Sequence, residues 1–202
     1  MSGSEKTQIL LASNNSGKLV ELNLILNQVG LEAVSISQVV SLKNLPQPEE
    51  SGETFEANAL LKAEYYARNW PGPVLADDSG LEITALDNQP GVKSNRWLLG
   101  SDLDRNKAVL TRLLDKPDRS ARFVSVICWL ENSIAKPVYF RGEMEGVIGS
   151  EMAGTAGFGY DPIFIPIGFD KSLAQLGLEL KNRMSHRAKA MTKLLKFLQA
   201  RS

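Results

Sequence analysis

Apolar residues recur at two spacings along this chain, short unbroken runs alternating with stretches that repeat near every 3.6 residues, and the switches between them mark its elements. Residues 8–12 (Gln-Ile-Leu-Leu-Ala) predict a buried strand. Past the polar segment 13–18, an apolar face led by Val20 and Leu24, with Leu22, Ile25, Leu26 and Val29 as further members, predicts a helix that stops at Gly30. Residues 33–36 predict a second strand, and 46–52, rich in Pro, Glu and Ser, a loop. A helix from about Thr54 carries Phe55, Ala59, Ala63 and Tyr66 on one face, with Lys62 on another, and ends before Pro71. Residues 73–76 predict a short strand that ends where Asp77 begins a turn, with 81–84 extended beyond it and a turn at 88–91. Asp102 is the expected cap of a helix running to Leu114, with Pro117 just beyond. Residues 122–131 and 138–148 predict a long antiparallel pair joined by 132–137. A glycine-rich loop at 154–162, a short strand at 163–165 and a short helix at 172–176 follow. Ser185 caps a final amphipathic helix with Ala188, Met191, Leu194, Leu195 and Leu198 inward. This mixture predicts an α/β fold, with no linker or repeat to divide residues 1–202 into separate domains.

Composition narrows the function classes. Lys plus Arg and Asp plus Glu both number 23 in 202 residues, so no global field draws the chain to nucleic acid or to an anionic membrane. No apolar run approaches the ~20 residues of a membrane helix. The first seven residues are polar, without the regions of a signal peptide, and Cys128 is the only cysteine. These features predict a cytoplasmic protein.

Five segments could carry chemistry. In Asp77-Asp78-Ser79-Gly80 two adjacent carboxylates follow an apolar run. Buried together they would need a cation, and Mg²⁺ held by hard oxygens is the usual answer; the same four residues also make a good solvated turn. Ser13-Asn14-Asn15-Ser16-Gly17-Lys18 sits at a strand-to-helix junction, where unpaired N–H groups and the helix dipole favour phosphate. It is not a Walker A loop, because Ala12 and Leu19 stand where that motif needs Gly and Ser or Thr; capping explains its Asn and Ser residues but not Lys18. Glu50, Glu53 and Glu56 crowd the start of the second helix, either to complement its dipole or to lend a metal ligand. Gly154 to Pro162 places Phe158 and Tyr160 among three glycines, with Asp161 after them. Such a loop suits base stacking and a base N–H, or simply a tight turn with Phe158 in the core. Ser185-His186-Arg187 opens the last helix; His186 is the only histidine and no Gly-x-Ser-x-Gly elbow accompanies it, which disfavours a serine hydrolase.

Together these segments resemble the inosine triphosphate pyrophosphatase family, the XTP/dITP diphosphatases, from Ile9 to about Leu198. The resemblance is carried by Ser13 to Lys18, Glu50-Ser-Gly-Glu-Thr-Phe55, Asn58-Ala-Leu-Leu-Lys62, Asp77-Asp-Ser-Gly80, Pro90-Gly91 with Ser94 and Arg96, Gly154 to Pro162, and Lys181 with Ser185-His-Arg187, all in order. It implies a two-lobed mixed-sheet fold with a nucleotide cleft between the lobes, a homodimer, and Mg²⁺-dependent hydrolysis of ITP, dITP or XTP to the monophosphate and pyrophosphate. Ser13, Asn14, Asn15, Ser16, Gly17 and Lys18 would then bind the triphosphate, with Lys62 adding charge. Glu50, Asp77 and Asp78 would organise the metal, Asp78 taking a proton from the attacking water, and Ser79 would touch substrate. Phe158, Gly159, Tyr160, Asp161, Lys181, His186 and Arg187 would form the base pocket. Asn95 and Ala156 depart from the common Ala and Gly of the family pattern. Two other readings stand beside hydrolysis: a non-catalytic purine-nucleotide sensor, and a pyrophosphatase for other modified nucleotides.

Overall fold

The structure, a computed structural model, describes residues 8–201; the polar segment 1–7 lies outside them. Seven strands form one mixed sheet among the described residues: β1 (Gln8–Leu11), β2 (Glu32–Ser35), β3 (Val74–Ile83), β4 (Gln89–Pro90), β5 (Ser120–Leu130), β6 (Val138–Ile148) and β7 (Phe164–Pro166). Their order is β2-β1-β3-β5-β6-β7, with β4 on β3. β1 is parallel to β2 and to β3, with Leu11 opposite Ser35 on one side and Leu75 on the other. β4 runs antiparallel to β3, and β7 antiparallel to β6. Among the described residues six α-helices accompany the sheet: α1 (Ser16–Leu26), α2 (Phe55–Ala67), α3 (Asp102–Arg112), α4 (Leu173–Leu176), α5 (Leu178–Met184) and α6 (His186–Gln199).

The chain divides into two compact units, one made of the chain up to Asp78, Val126–Arg141 and the chain from Ala190, the other of Ser79–Ser125 and Gly142–Lys189. In the first unit Ile9, Leu10, Leu11, Leu22, Leu26, Phe55, Ala59, Ala63 and Leu75 are buried. In the second, Leu81, Ile83, Val109, Phe123, Met144, Ile148, Tyr160 and Phe164 form one cluster. β6 shows why sequence pattern located it: Phe140, Met144 and Ile148 are buried while Tyr139, Glu145 and Val147 are exposed, the period of a half-buried strand.

Several boundaries and faces differ from expectation. β3 does not stop at Ala76 but runs through to Ile83. The inward stripe of α1 is Lys18, Glu21, Leu22, Ile25 and Leu26, with Val20 and Leu24 about half exposed at 50% and 47%. Lys62 lies on the inward stripe of α2 with Phe55, Asn58, Ala59, Ala63 and Tyr66, not on another face. These two stripes keep helical spacing but include charged residues, which an apolar count misassigns. Ser101, not Asp102, caps α3: its hydroxyl accepts from Asp104 N–H at 3.3 Å, and Asp104 Oδ2 accepts from Ser101 N–H at 2.8 Å. α5 was not expected at all; Gly177, at φ +82°, separates it from α4.

Candidate active site

Parallel pairing explains how the acidic pair comes to lie within a strand. Leu10 and Ala12 N–H donate to Pro73 and Leu75 carbonyls, at 2.9 and 2.8 Å, along one edge of β3. The next carbonyl on that edge is Asp77, and β1 has by then ended. Two ammonium groups fill the place of the missing strand: Lys18 Nζ donates to Asp77 O at 3.2 Å and Lys62 Nζ at 3.0 Å. Each lysine also pairs with a carboxylate, Lys18 with Asp77 Oδ2 at 2.7 Å and Lys62 with Asp78 Oδ1 at 2.6 Å. Asp77 and Asp78 are 0% and 5% exposed, so this is a buried ionic centre and not a solvated turn. Burial of such charges costs several kcal/mol each unless they are paired, and the pairing here is mutual.

α1 delivers Lys18 from its first turn, and α2 delivers Lys62 from the inward stripe of its interior. Asn15 caps α1, its Oδ1 accepting from Lys18 N–H at 3.0 Å, while its own N–H donates to Ser13 Oγ at 3.1 Å. Ser13 to Gly17 remain partly or fully exposed, and the amides of Ser16 and Gly17 have no intrahelical acceptor at a helix start. On α2, Lys62 Nζ also meets Glu50 Oε1 at 2.8 Å. Asn58, whose role sequence did not reveal, is fully buried; its Oδ1 accepts from Gly52 N–H at 2.8 Å, and Nδ2 reaches Asp78 Oδ2 at 3.5 Å. Asn58 thus ties the acidic loop to the acidic strand. Glu21 is a buried acid missed by sequence, and its spacing of three from Lys18 was the available signal.

Glu50 and Asp78 converge on one cationic position, now held by the Lys62 ammonium, while Asp77 faces Lys18. Among the described residues no three His, Cys, Asp or Glu side chains are arranged to hold a metal. Two converging carboxylates nevertheless fit a hard divalent cation that takes its other ligands from phosphate and water. Burial pushes the Asp78 carboxyl above its ordinary value, against the opposing pull of Lys62 and Lys18, and Glu50 adds to the rise. Burial also works against the Lys62 charge, but Asp78 and Glu50 together outweigh it and hold the ammonium above its usual range.

A second cluster begins at the next residue of β3, in the other unit. Ser79 Oγ accepts from Arg187 Nη2 at 3.0 Å, and Arg187 is 2% exposed. α5 supplies Lys181, whose Nζ pairs with Asp161 Oδ2 at 2.6 Å, both side chains buried. The same oxygen accepts from Phe158 N–H at 2.9 Å. Lys181 Nζ and Arg187 Cζ lie 4.4 and 5.7 Å from the centre of the half-buried Phe158 ring, a cation–π arrangement. Gly157 has φ +81°, and a Cβ there would collide with the Asp161 carboxylate, so the loop is wound against this acid. Ala156 stands outside the positive-φ residues, so a side chain there meets no backbone strain. Phe158, Asp161, Lys181, Arg187 and Ser79 therefore form one constellation: a flat ring, donors for a carbonyl oxygen, and a buried acid.

Other expected pocket residues have different surroundings. His186 stacks on Phe123, with centroids 4.8 Å apart and planes 11° from parallel. Tyr160 packs into the second unit's core, its hydroxyl donating to Ser94 O at 2.9 Å, and burial pushes its phenol up to about 12. Ser94 in turn accepts from Leu81 N–H at 2.9 Å through Oγ, which bonds β3 to the loop after β4.

A mixed α/β sheet with a lysine–carboxylate centre in mid-strand and a ring flanked by cations defines a narrow class of protein. The chain belongs to the Ham1 family, whose sequence model matches residues 9–197. It is 44% identical over 200 residues to the dITP/XTP pyrophosphatase of Nocardia farcinica, covering 96% of this chain and 95% of that one. It is 41% identical to the protein of the same name from Symbiobacterium thermophilum, with 96% and 95% covered. A solved HAM1 protein from Coxiella burnetii superposes with a TM-score of 0.85 at 39% identity, over 96% of this chain and 98% of that one. The resemblance drawn from the seven motifs is borne out.

Proposed function

We propose that this protein hydrolyses noncanonical purine nucleoside triphosphates, ITP, dITP or XTP, to the monophosphate and pyrophosphate. The observation that carries the reading is the meeting of two buried ammonium groups, Lys18 and Lys62, with the carboxylates of Glu50, Asp77 and Asp78. A polyphosphate suits that centre, a 6-oxopurine suits the Phe158–Arg187 constellation, and Asp78 and Ser79, one from each, are consecutive residues. The names of the two bacterial relatives support the substrate class.

In this reading a water attacks the α-phosphorus, the bond to the bridging oxygen breaks, and pyrophosphate leaves with the electron pair. Asp78 accepts the proton from the water; a carboxyl raised by burial is better matched to that task than an exposed one. Lys18 and Lys62 offset the charge that develops on the leaving group, and the first-turn amides of α1 hold phosphate oxygens. Glu50 and Asp78 are the residues that would hold Mg²⁺, which supplies polarisation of the phosphoryl oxygens when bound. Arg187 donates to the 6-oxygen of inosine or xanthosine, where adenine presents an amino group and would leave the donor unpaired. Protein in the cytoplasm, acting as a homodimer, completes the proposal; sedimentation velocity tests the latter.

Pyrophosphate release across ITP, dITP, XTP, GTP and ATP, with and without EDTA, tests the reading. ITP is expected to exceed ATP in kcat/KM by about 100-fold or more, and Asp78→Asn to lose about 100-fold or more in turnover. Absence of release from every triphosphate in Mg²⁺, or an Asp78→Asn variant of near wild-type rate, would overturn it.

A further inference from the structure

Asp102 is the first residue of α3, yet Ser101 and Asp104 already cap that helix by themselves. The Asp102 carboxylate is turned to another partner: its Oδ2 accepts from Gly159 N–H at 2.7 Å, and its Oδ1 from Arg105 Nη2 at 2.5 Å. One turn along, Asn106 is 1% exposed and its Nδ2 donates to Gly159 O at 2.8 Å as well as to Asp102 O at 2.9 Å. Gly159, at φ +64°, is therefore gripped at both its N–H and its C=O by side chains one helical turn apart.

The consequence falls on Phe158. Its own N–H is held by Asp161, and the peptide that follows it, the one carrying Gly159 N–H, is held by Asp102. Both peptide planes that flank Phe158 Cα are thus fixed by buried or part-buried carboxylates. With two torsions per residue in the backbone, fixing the flanking planes fixes where the ring emerges. A ring offered as a stacking surface loses less entropy on binding when its position is set beforehand. Arg105, tied to Asp102, also donates to Gly100 O at 2.9 Å, so the bracket is braced from the loop before α3.

We infer that Asp102 and Asn106 are positioning residues for purine recognition, acting through the Phe158–Gly159 backbone and not as helix caps. The inference rests on the hydrolase reading above for the identity of the ligand, but the bracket can be measured without it. Three variants test it: Asp102→Ala and Asn106→Leu, which each remove one jaw, and Asp102→Asn, which keeps an acceptor for Gly159 N–H. Asp104→Asn serves as the comparison, since it weakens the cap of α3 without touching Gly159.

Asp102→Ala and Asn106→Leu are expected to raise KM for ITP about tenfold while kcat moves less than about threefold, and to lower the preference for ITP over ATP. Asp102→Asn is expected to recover most of the loss, and Asp104→Asn to lower the thermal midpoint with no change in preference. Hydrogen exchange at residues 158–160 should accelerate in the first two variants alone. The affinities for IMP and AMP, read by calorimetry, should converge in the same variants whether or not the wild type turns over. An inactive wild type that still binds IMP in preference to AMP would sink the hydrolase reading and leave this inference standing. Unchanged exchange, or faster exchange with base preference intact, would overturn the inference while hydrolysis stood; so would a loss of preference in Asp104→Asn equal to that in Asp102→Ala.

Discussion

Lys62 shows how a single side chain can decide the character of a site. Its ammonium lies within hydrogen-bond distance of Glu50, Asp78 and the Asp77 carbonyl at once, so its removal would leave acids facing each other in a buried place. Lys62→Met is expected to cost about 3 kcal/mol at neutral pH in metal-free protein, in the range of broken buried pairs. The sign of its pH dependence follows from Asp78. Burial already holds that carboxyl above its ordinary value and Lys62 opposes the rise, so the variant's carboxyl lies higher still. A carboxyl raised in the native state stabilises fully below its unfolded value, and that stabilisation is lost as pH rises through the native one. The gap between variant and wild type should therefore be widest near pH 8 and shrink toward pH 5; urea midpoints across that range in EDTA check it. The residue types of this centre were legible from sequence: Lys18, Glu50, Asp77 and Asp78 are all where the motifs put them. The partnerships were not, because a charged side chain reads as solvent-facing until its counter-ion is known. Glu21 escaped for the same reason, and Asn58 because a neutral amide likewise reads as solvent-facing until its hydrogen-bond partners are known.

At the level of elements, apolar period served well where a face was purely apolar. β6 and β7 are a case: Phe140, Met144 and Ile148 alternate inward, and Val147 pairs with Ile165 across the strands. Gly146 faces this pairing with no room for a side chain. A Cβ there would run into Ile165 O and lie 2.6 Å from Phe164 Cζ. Gly146→Ala should accordingly cost about 1–3 kcal/mol through overpacking, measured as a fall in urea midpoint with no change in slope. Period failed where polar and charged side chains share an inward face. The inward stripe of α1 begins with Lys18 and Glu21, and that of α2 includes Asn58 and Lys62, so counting apolar residues turned α1 toward Val20 and Leu24. β3 was cut short at Ala76 by the same rule, since two carboxylates in mid-strand are tolerable only with two lysines beside them. α5 was invisible because only seven residues separate Gly177 from Ser185, too few for a period to establish itself.

Across the whole molecule, several groups with raised proton affinities, Tyr66, Tyr139 and Lys62 among them, set an alkaline limit, and Cys128 and Tyr160, one in each compact unit, are the most displaced. Burial pushes the Cys128 thiol from 9.0 up to about 12 and the Tyr160 phenol from 10.0 up to about 12. The unfolded chain releases these protons near pH 9 and 10 whereas the folded chain holds them, so stability is intact below pH 9 and declines as pH climbs toward 12. Unfolding midpoints should fall through that window, and the combined Cys128→Ala and Tyr160→Phe variant should flatten the slope. By itself the amino-acid sequence determined the α/β class, most strand and helix positions, the family, and which charged residues are candidates for the site, because local periodicity and motif spacing are written along the chain. Only the tertiary structure decided that the acidic pair is buried, that Lys18 and Lys62 meet at one carbonyl, and that Asp102 and Asn106 grip Gly159. Those facts depend on where strands end beside one another and which helix faces turn inward. Contacts across dozens of residues have no spacing for a sequence to display.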